Sequence, residues 1–254
     1  VGAAGGRRAH RHLQAPPARE GGRRQLAQEL HGAEPHVLVL VREQRQHSRR
    51  LPRGLEGFAG QVAHELHGPA PHVGVLGGDE LCDAAGVANR PHIKTHKSPV
   101  LAQMQLDAGA KGITCQKLGE AEVMAASGIT DILIATNVIG AARSGRLAAL
   151  QRQLPLKVCA DNPVSLNAYS AAAKAAERPI DVLIECDTGL ERAGVETPGV
   201  VLQLAAQIKD DPWLNFAGLL FYPPIDGWPA TQVFYDRVNQ GLAELGLQPA
   251  IVST

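Results

Sequence analysis

Aromatic side chains are scarce in this 254-residue chain: 4 Phe, 3 Tyr and 2 Trp. So few rings argue against a base-stacking platform for single-stranded nucleic acid. Charge of one sign is also not in excess. Lys plus Arg number 25, Asp plus Glu number 25, and the formal net charge is +0. The global field therefore asks for neither nucleic acid nor an anionic membrane. No apolar run reaches the roughly 18 residues that span a bilayer, and the Gly- and Arg-rich first residues carry no apolar leader. Cysteine is limited to Cys82, Cys115, Cys159 and Cys186, without a Cys-x-x-Cys pair. Three of them lie in apolar runs, which reads as small buried thiols in a reducing cytoplasm, not as a disulfide framework or zinc site. What is abundant is apolar content, 44%, enough for one large domain or two small ones.

A second absence divides the chain. Between Val1 and Asp83 there is no Lys, Ile, Thr, Asn, Tyr, Trp or Met, and most of the histidines fall there. The run Gln25–Leu40 resembles Gln61–Leu76, but two units fall short of the three or more that a solenoid needs. His64-Glu65-Leu66-His67 brings its second His one residue early for the same-face zinc geometry of H-E-x-x-H. So restricted an alphabet is what GC-rich DNA gives when read in a frame not selected for protein. The expectation is that residues 1–83 are an atypical, non-native or disordered segment and that residues 84–254 carry the fold.

From Ala84 short apolar runs alternate with Ala-rich helical ones. Strands are predicted at His92–Thr95, Gly112–Gln116, Asp131–Thr136, Leu156–Asp161, Asp181–Asp187, Phe216–Tyr222 and Ala250–Thr254. Helices are predicted near Val100–Ala108, Leu118–Ser127, Ala141–Gln153, Pro163–Ala176, Pro198–Lys209 and Thr231–Leu245, with Thr197-Pro198 as a helix start. Runs such as Asp131-Ile-Leu-Ile-Ala and Asp181-Val-Leu-Ile-Glu read as strands covered on both faces. Strict alternation predicts an α/β fold, an incomplete (β/α)8 barrel. A doubly wound sheet would want a Gly-rich turn after its first strand, and His96-Lys97-Ser98 is not one. The chain stops at the end of a strand, which makes a truncated barrel the expectation.

Barrel chemistry gathers at the C-terminal strand ends. Lys94, His96, Gln116, Asp161, Asp187 and Tyr222 stand there. Period-2 alternation sets His92, Lys94 and His96 on one face and Ile93 on the other. A lysine pointing into a barrel mouth is costly to bury as a cation, and a partly neutral amine is what imine formation with an aldehyde requires.

Three motifs carry a resemblance: Arg90-Pro91-His92-Ile93-Lys94-Thr95-His96-Lys97; Thr114-Cys115-Gln116-Lys117-Leu118-Gly119-Glu120; and Glu185-Cys186-Asp187-Thr188-Gly189-Leu190-Glu191-Arg192-Ala193-Gly194-Val195. In order and type they resemble the family of D-threonine aldolases and eukaryotic-type D-serine dehydratases, whose barrel is the alanine racemase N-terminal type. The resemblance covers Ala84–Thr254. It implies a lyase on D-β-hydroxy amino acids that uses pyridoxal 5'-phosphate. Lys94 is then the Schiff-base lysine, Arg192, Tyr222, Gln116 and Asp187 are cofactor contacts, and His96 is a base or cofactor contact. It also implies a divalent metal, Mn or Zn, whose ligands lie in a C-terminal β-domain beyond this chain, and a homodimer when full length. The run Phe221-Tyr222-Pro223-Pro224-Ile225-Asp226-Gly227-Trp228 departs from the His- or Gln-bearing loop of the best-known D-threonine aldolases. The substrate thus stays open between C–C cleavage and dehydration, with an amino-acid racemase or a non-catalytic pyridoxal phosphate carrier as the further alternatives.

Overall fold

The computed structural model describes residues 40–43, 82 and 86–254. The expectation for residues 1–83 otherwise lies outside the described residues. The elements in chain order are β1 (Leu40–Glu43), β2 (Ala88–Asn89), α1 (Pro99–Asp107), β3 (Ile113–Cys115), α2 (Leu118–Ala126), β4 (Ile132–Ile134), α3 (Ala141–Gln153), β5 (Leu156–Ala160), α4 (Pro163–Ala176), β6 (Ile180–Cys186), α5 (Pro198–Asp210), β7 (Leu214–Phe221), α6 (Trp228–Glu244) and β8 (Ile251–Ser253). Strands β3 to β8 run parallel and neighbour one another in chain order. β1 pairs antiparallel with both β8 and β2. A parallel bridge between His92 and Thr114 sets the residues after β2 beside β3. The result is the expected incomplete (β/α)8 barrel of parallel strands.

Side-chain caps satisfy free N–H groups at the start of α1 and α4. Ser98 caps α1 by accepting Leu101 N–H, with Pro99 in the first turn. Asn162 does the same for α4 through Ser165 N–H, ahead of Pro163. Thr197 occupies the cap position of α5, as predicted, but makes no side-chain cap bond. Helix α6 starts at Trp228, earlier than predicted, because Pro229 suits a first turn.

Each central strand buries both faces. Leu133, Cys159, Leu183, Ala217, Leu220 and Ile251 pack together inside the barrel. Their sequence neighbours Ile132, Ile134, Val158, Val182, Ile184 and Leu219 belong to the separate core under the helices. This is why the strands read as unbroken apolar runs instead of alternating ones.

The N-terminal end of the barrel is closed by charge. Arg90 is fully buried, and its Nη1 lies 2.7 Å from Asp131 Oδ1. Lys157 Nζ reaches the same oxygen at 2.9 Å. Burial works against a charged Asp131, but the two cations outweigh it and hold its carboxyl below the usual range. Gly112 is required beside them, because a Cβ there would run into Arg90 Nη1 and the Asp131 backbone.

The predicted strand His92–Thr95 is corrected. Pairing ends at His92, and residues 93–96 form a turn. Two histidines capture backbone donors that a strand would spend on a neighbour: His92 Nδ1 takes Lys94 N–H at 3.2 Å, and His96 Nδ1 takes Ser98 N–H at 3.0 Å. Side chains that bond their own backbone in this way compete with the ladder.

Candidate active site

Stepping two residues along each strand from the inner apolar layer leads to the C-terminal rim. Thr114 leads to Gln116, Leu133 to Ala135, Leu183 to Glu185, Leu220 to Tyr222 and Ile251 to Ser253. All of these rim residues line a cavity of about 310 Å³, together with His92, Lys94 and Arg192. Lys94 is half-buried there, and its Nζ lies 5.9 Å from the centre of the Tyr222 ring. Arg192 Cζ lies 4.7 Å from the same centre. The Tyr222 ring thus has two cations over it, each attracted by the ring's quadrupole.

Arg192 is held by its loop. Asp187, at the end of β6, accepts N–H groups from Gly189 and Leu190, both at 2.9 Å, and from Arg192 at 3.0 Å. Burial opposes its charge, but the loop donors together overcome this and keep its carboxyl below the usual range. Asp161 adds a second hold, accepting Gly194 N–H at 3.3 Å and Asn137 Nδ2 at 2.7 Å. Gly194 has φ 108°, and a Cβ on it would sit 2.7 Å from the Asp187 nitrogen, so only glycine fits.

The expected site residues therefore separate. Lys94, Arg192, Tyr222 and Gln116 meet around one cavity. His96 and Asp187 do not line it. The chain turns before His96, whose Nε2 pairs with Gln105 Oε1 at 3.3 Å, and the Asp187 carboxylate folds back on its own loop. Nor does Arg192 form an ion pair with Glu185 or Asp187 among the described residues.

Two lining groups were not among the expected site residues. His92 Nε2 meets Gln116 Oε1 at 3.1 Å while Nδ1 accepts Lys94 N–H. Both contacts suit a neutral ring with its proton on Nε2. Burial and then the nearby Lys94 push His92 down to about 4. Glu185 is pushed up to about 7, first by burial and then by Asp161, with Arg192 pulling the other way. The alternation that located Lys94 also put His92 on its face. For Glu185 the available signal was its place two residues beyond an inward-facing leucine.

The lining residues fit a pyridoxal phosphate. They supply an amine on Lys94, a guanidinium on Arg192 and an aromatic ring on Tyr222. Thr114 Oγ1, Asn137 Oδ1 and Ser253 Oγ are buried there without hydrogen-bond partners, and such atoms in native proteins are usually satisfied by a ligand or water. Among the described residues no group of three or more His, Cys, Asp or Glu is placed to hold a metal. Burial pushes the Cys115 thiol up to about 12 and drives Cys159 and Cys186 up as well. That leaves these thiols un-ionised and unsuited to nucleophilic work. No helix among the described residues is long and apolar enough to cross a membrane.

Among the described residues, an incomplete barrel built on an eight-stranded sheet, with a lysine-bearing cavity at its C-terminal rim, defines the class. Residues 80–254 match the model of the alanine racemase N-terminal domain, and the chain belongs to that family. It is 46% identical over 140 residues to a D-threonine aldolase from an Arthrobacter species, covering 55% of this chain and 37% of the relative. It is 34% identical over 167 residues to a D-threo-3-hydroxyaspartate dehydratase from Delftia sp. strain HT23, covering 64% and 44%. Among solved structures it resembles D-threonine aldolase from Filomicrobium marinum, with TM-score 0.61, 35% identity and coverage of 63% and 46%. The chain thus spans less than half the length of these relatives.

Proposed function

We propose that this chain is the cofactor-bearing barrel of a pyridoxal-phosphate-dependent lyase acting on D-β-hydroxy amino acids, with D-threonine aldolase-type C–C cleavage as its reaction. The observation that carries the reading is the placement of Lys94 in the rim cavity with Arg192 and Tyr222. The likeness to D-threonine aldolase over the barrel supports it. When bound, pyridoxal phosphate supplies an electron sink for a bond broken at the substrate's Cα. The chain's own residues bind and orient. Lys94 Nζ is the amine for the aldehyde carbon. Arg192, always charged, supplies several donors to an oxygen or carboxylate beside it. Neutral His92 fixes Gln116 with one nitrogen and the Lys94 backbone with the other. Glu185, titrating near 7, can hold or release a proton inside the cavity. The likeness to a hydroxyaspartate dehydratase favours one second reading, dehydration at Cβ. A homodimer in the cytoplasm completes the proposal. The divalent metal that the resemblance implies has no ligand cluster among the described residues.

The test is spectroscopic. The chain is mixed with pyridoxal phosphate, the absorbance of the protein-bound imine is recorded, and D-threonine or D-serine is added. Glycine plus acetaldehyde marks the aldolase; pyruvate from D-serine marks the dehydratase. A Lys94→Ala variant that keeps the imine band overturns the assignment.

A further inference from the structure

A larger cavity, about 780 Å³, adjoins the reaction cavity and shares Gln116, Thr136 and Asn137 with it. Four cations line it, Lys97, Lys117, Arg143 and Arg146, against one carboxylate, Glu120. Glu120 is already engaged. Its Oε2 accepts the backbone N–H of Gln116 at 2.8 Å and of Lys117 at 3.3 Å, and its Oε1 lies 3.3 Å from Lys97 Nζ. Arg146 is held by two bonds to Glu122. Lys117 and Arg143, both exposed, have no ion-pair partner among the described residues, so only solvent balances these two charges at the cavity wall. Arg143 is also badly placed for its own helix. It sits in the first turn of α3, which has Gly140 at its cap position, no side-chain cap and no acid in that turn. The positive end of a helix dipole repels a cation and attracts an anion. Like charges, an uncapped helix start and a roomy cavity together favour an oxyanion.

We propose that this cavity is an anion-binding vestibule to the reaction cavity, in which Lys117 and Arg143 hold a carboxylate or a phosphate monoester before it moves inward past Asn137. The inward step rests on the proposed function; the anion site itself does not. The ligand chemistry is shared by a substrate carboxylate and the cofactor phosphate, and the test separates them.

The full chain without cofactor is titrated with inorganic phosphate and, separately, with D-malate, while NMR follows the side-chain N–H of Arg143 and the backbone amides around Lys117. Saturable shifts at both places are expected, weakened by salt and abolished in the double variant Lys117→Gln/Arg143→Gln. They persist in Lys94→Ala, because Lys94 does not line this cavity. Shifts with malate alone assign the site to substrate carboxylates, and shifts with phosphate alone assign it to the cofactor. No shift with either anion, or shifts that survive the double variant, overturn the vestibule. A second arm compares the rates at which pyridoxal phosphate and phosphate-free pyridoxal form an imine with the chain. Where phosphate shifts the site, the double variant slows the first about tenfold at low salt and leaves the second unchanged. A wild-type chain that forms an imine with neither aldehyde defeats the proposed function, while the titration still decides the vestibule.

Discussion

Asp187→Ala tests how Arg192 is placed. The Asp187 carboxylate takes three N–H groups of its own loop at 2.9, 2.9 and 3.0 Å. Hydrogen bonds to a charged acceptor contribute about 1.5–3 kcal/mol each. Gly189 and Arg192 are exposed, so water re-solvates their amides in the variant and the low end applies, roughly 4.5 kcal/mol for the three. The loss is local. Val195 N–H still donates to the Glu185 carbonyl at 2.8 Å, and Gly194 N–H still reaches Asp161 at 3.3 Å, so the loop loosens between fixed ends. Hydrogen exchange at Gly189, Leu190 and Arg192 should quicken by about a thousandfold, since each 1.4 kcal/mol is about tenfold. Pyridoxal phosphate should bind more weakly as Arg192 leaves the Tyr222 ring. Asp187→Asn keeps Oδ1 for Gly189 and Leu190 but turns an amide nitrogen toward Arg192 N–H, so it should fall between. If exchange in the alanine variant stays within about threefold of wild type, something else holds the loop. Weakened cofactor binding with unchanged exchange would instead restore Asp187 as a direct contact.

Gly194→Ala should destabilise the chain by roughly 2–4 kcal/mol in urea unfolding, because its Cβ meets backbone atoms that cannot yield. Arg90→Met should lower stability by about 1.5–3 kcal/mol, the worth of one hydrogen bond between charged groups, since Lys157 still pairs with the partly exposed Asp131; an unchanged urea midpoint would show the ion cluster to be dispensable. The third prediction concerns pH. Glu185 titrates near 7 when folded, against 4.5 for an ordinary glutamate, so between those values the folded chain binds more protons and stability falls as pH rises. His92 titrates near 4 against 6.5, so over that range the unfolded chain binds more protons and stability rises. The two offset each other where the ranges overlap. Glu185→Gln should unmask the rise and gain about 2–3 kcal/mol on wild type between pH 5 and pH 8. Parallel profiles for the two proteins in urea unfolding would refute the shift.

Much of the barrel was legible because its strands carry their own evidence. Runs such as Ile132-Leu133-Ile134 and Val182-Leu183-Ile184 are apolar throughout, as a strand covered inside and outside requires. Alternation past the last apolar residue brings Gln116 and Tyr222, expected from their strand ends, to the cavity wall. It failed where the backbone stopped obeying it. Residues 93–96 make a turn, so extending the face from His92 to His96 carried His96 away from the cavity. Asp187 differs: a carboxylate at a strand end reads as a ligand group, but this one accepts amides of the following loop and does not line the cavity. Helix α6 begins at Trp228 and not near Thr231, because proline is at home in a first turn.

Lys94 reaches the cavity for a reason other than the one that selected it. Parity along a strand does not operate through a turn, so the position of the amine depends on what sets the turn. That group is His92, whose Nδ1 takes the Lys94 N–H and whose Nε2 is anchored on Gln116 of the neighbouring strand end. The arrangement requires a neutral ring, and burial beside a lysine supplies one. A protonated His92 would lose its acceptor, release the Lys94 backbone and place a second cation near the amine. Low pH should therefore free the turn before it unfolds the barrel. Amide exchange at Lys94 should rise as pH falls toward about 4, while exchange in β5 and β6 stays slow. If the Lys94 amide loosens only together with those strands, His92 is not what sets the turn.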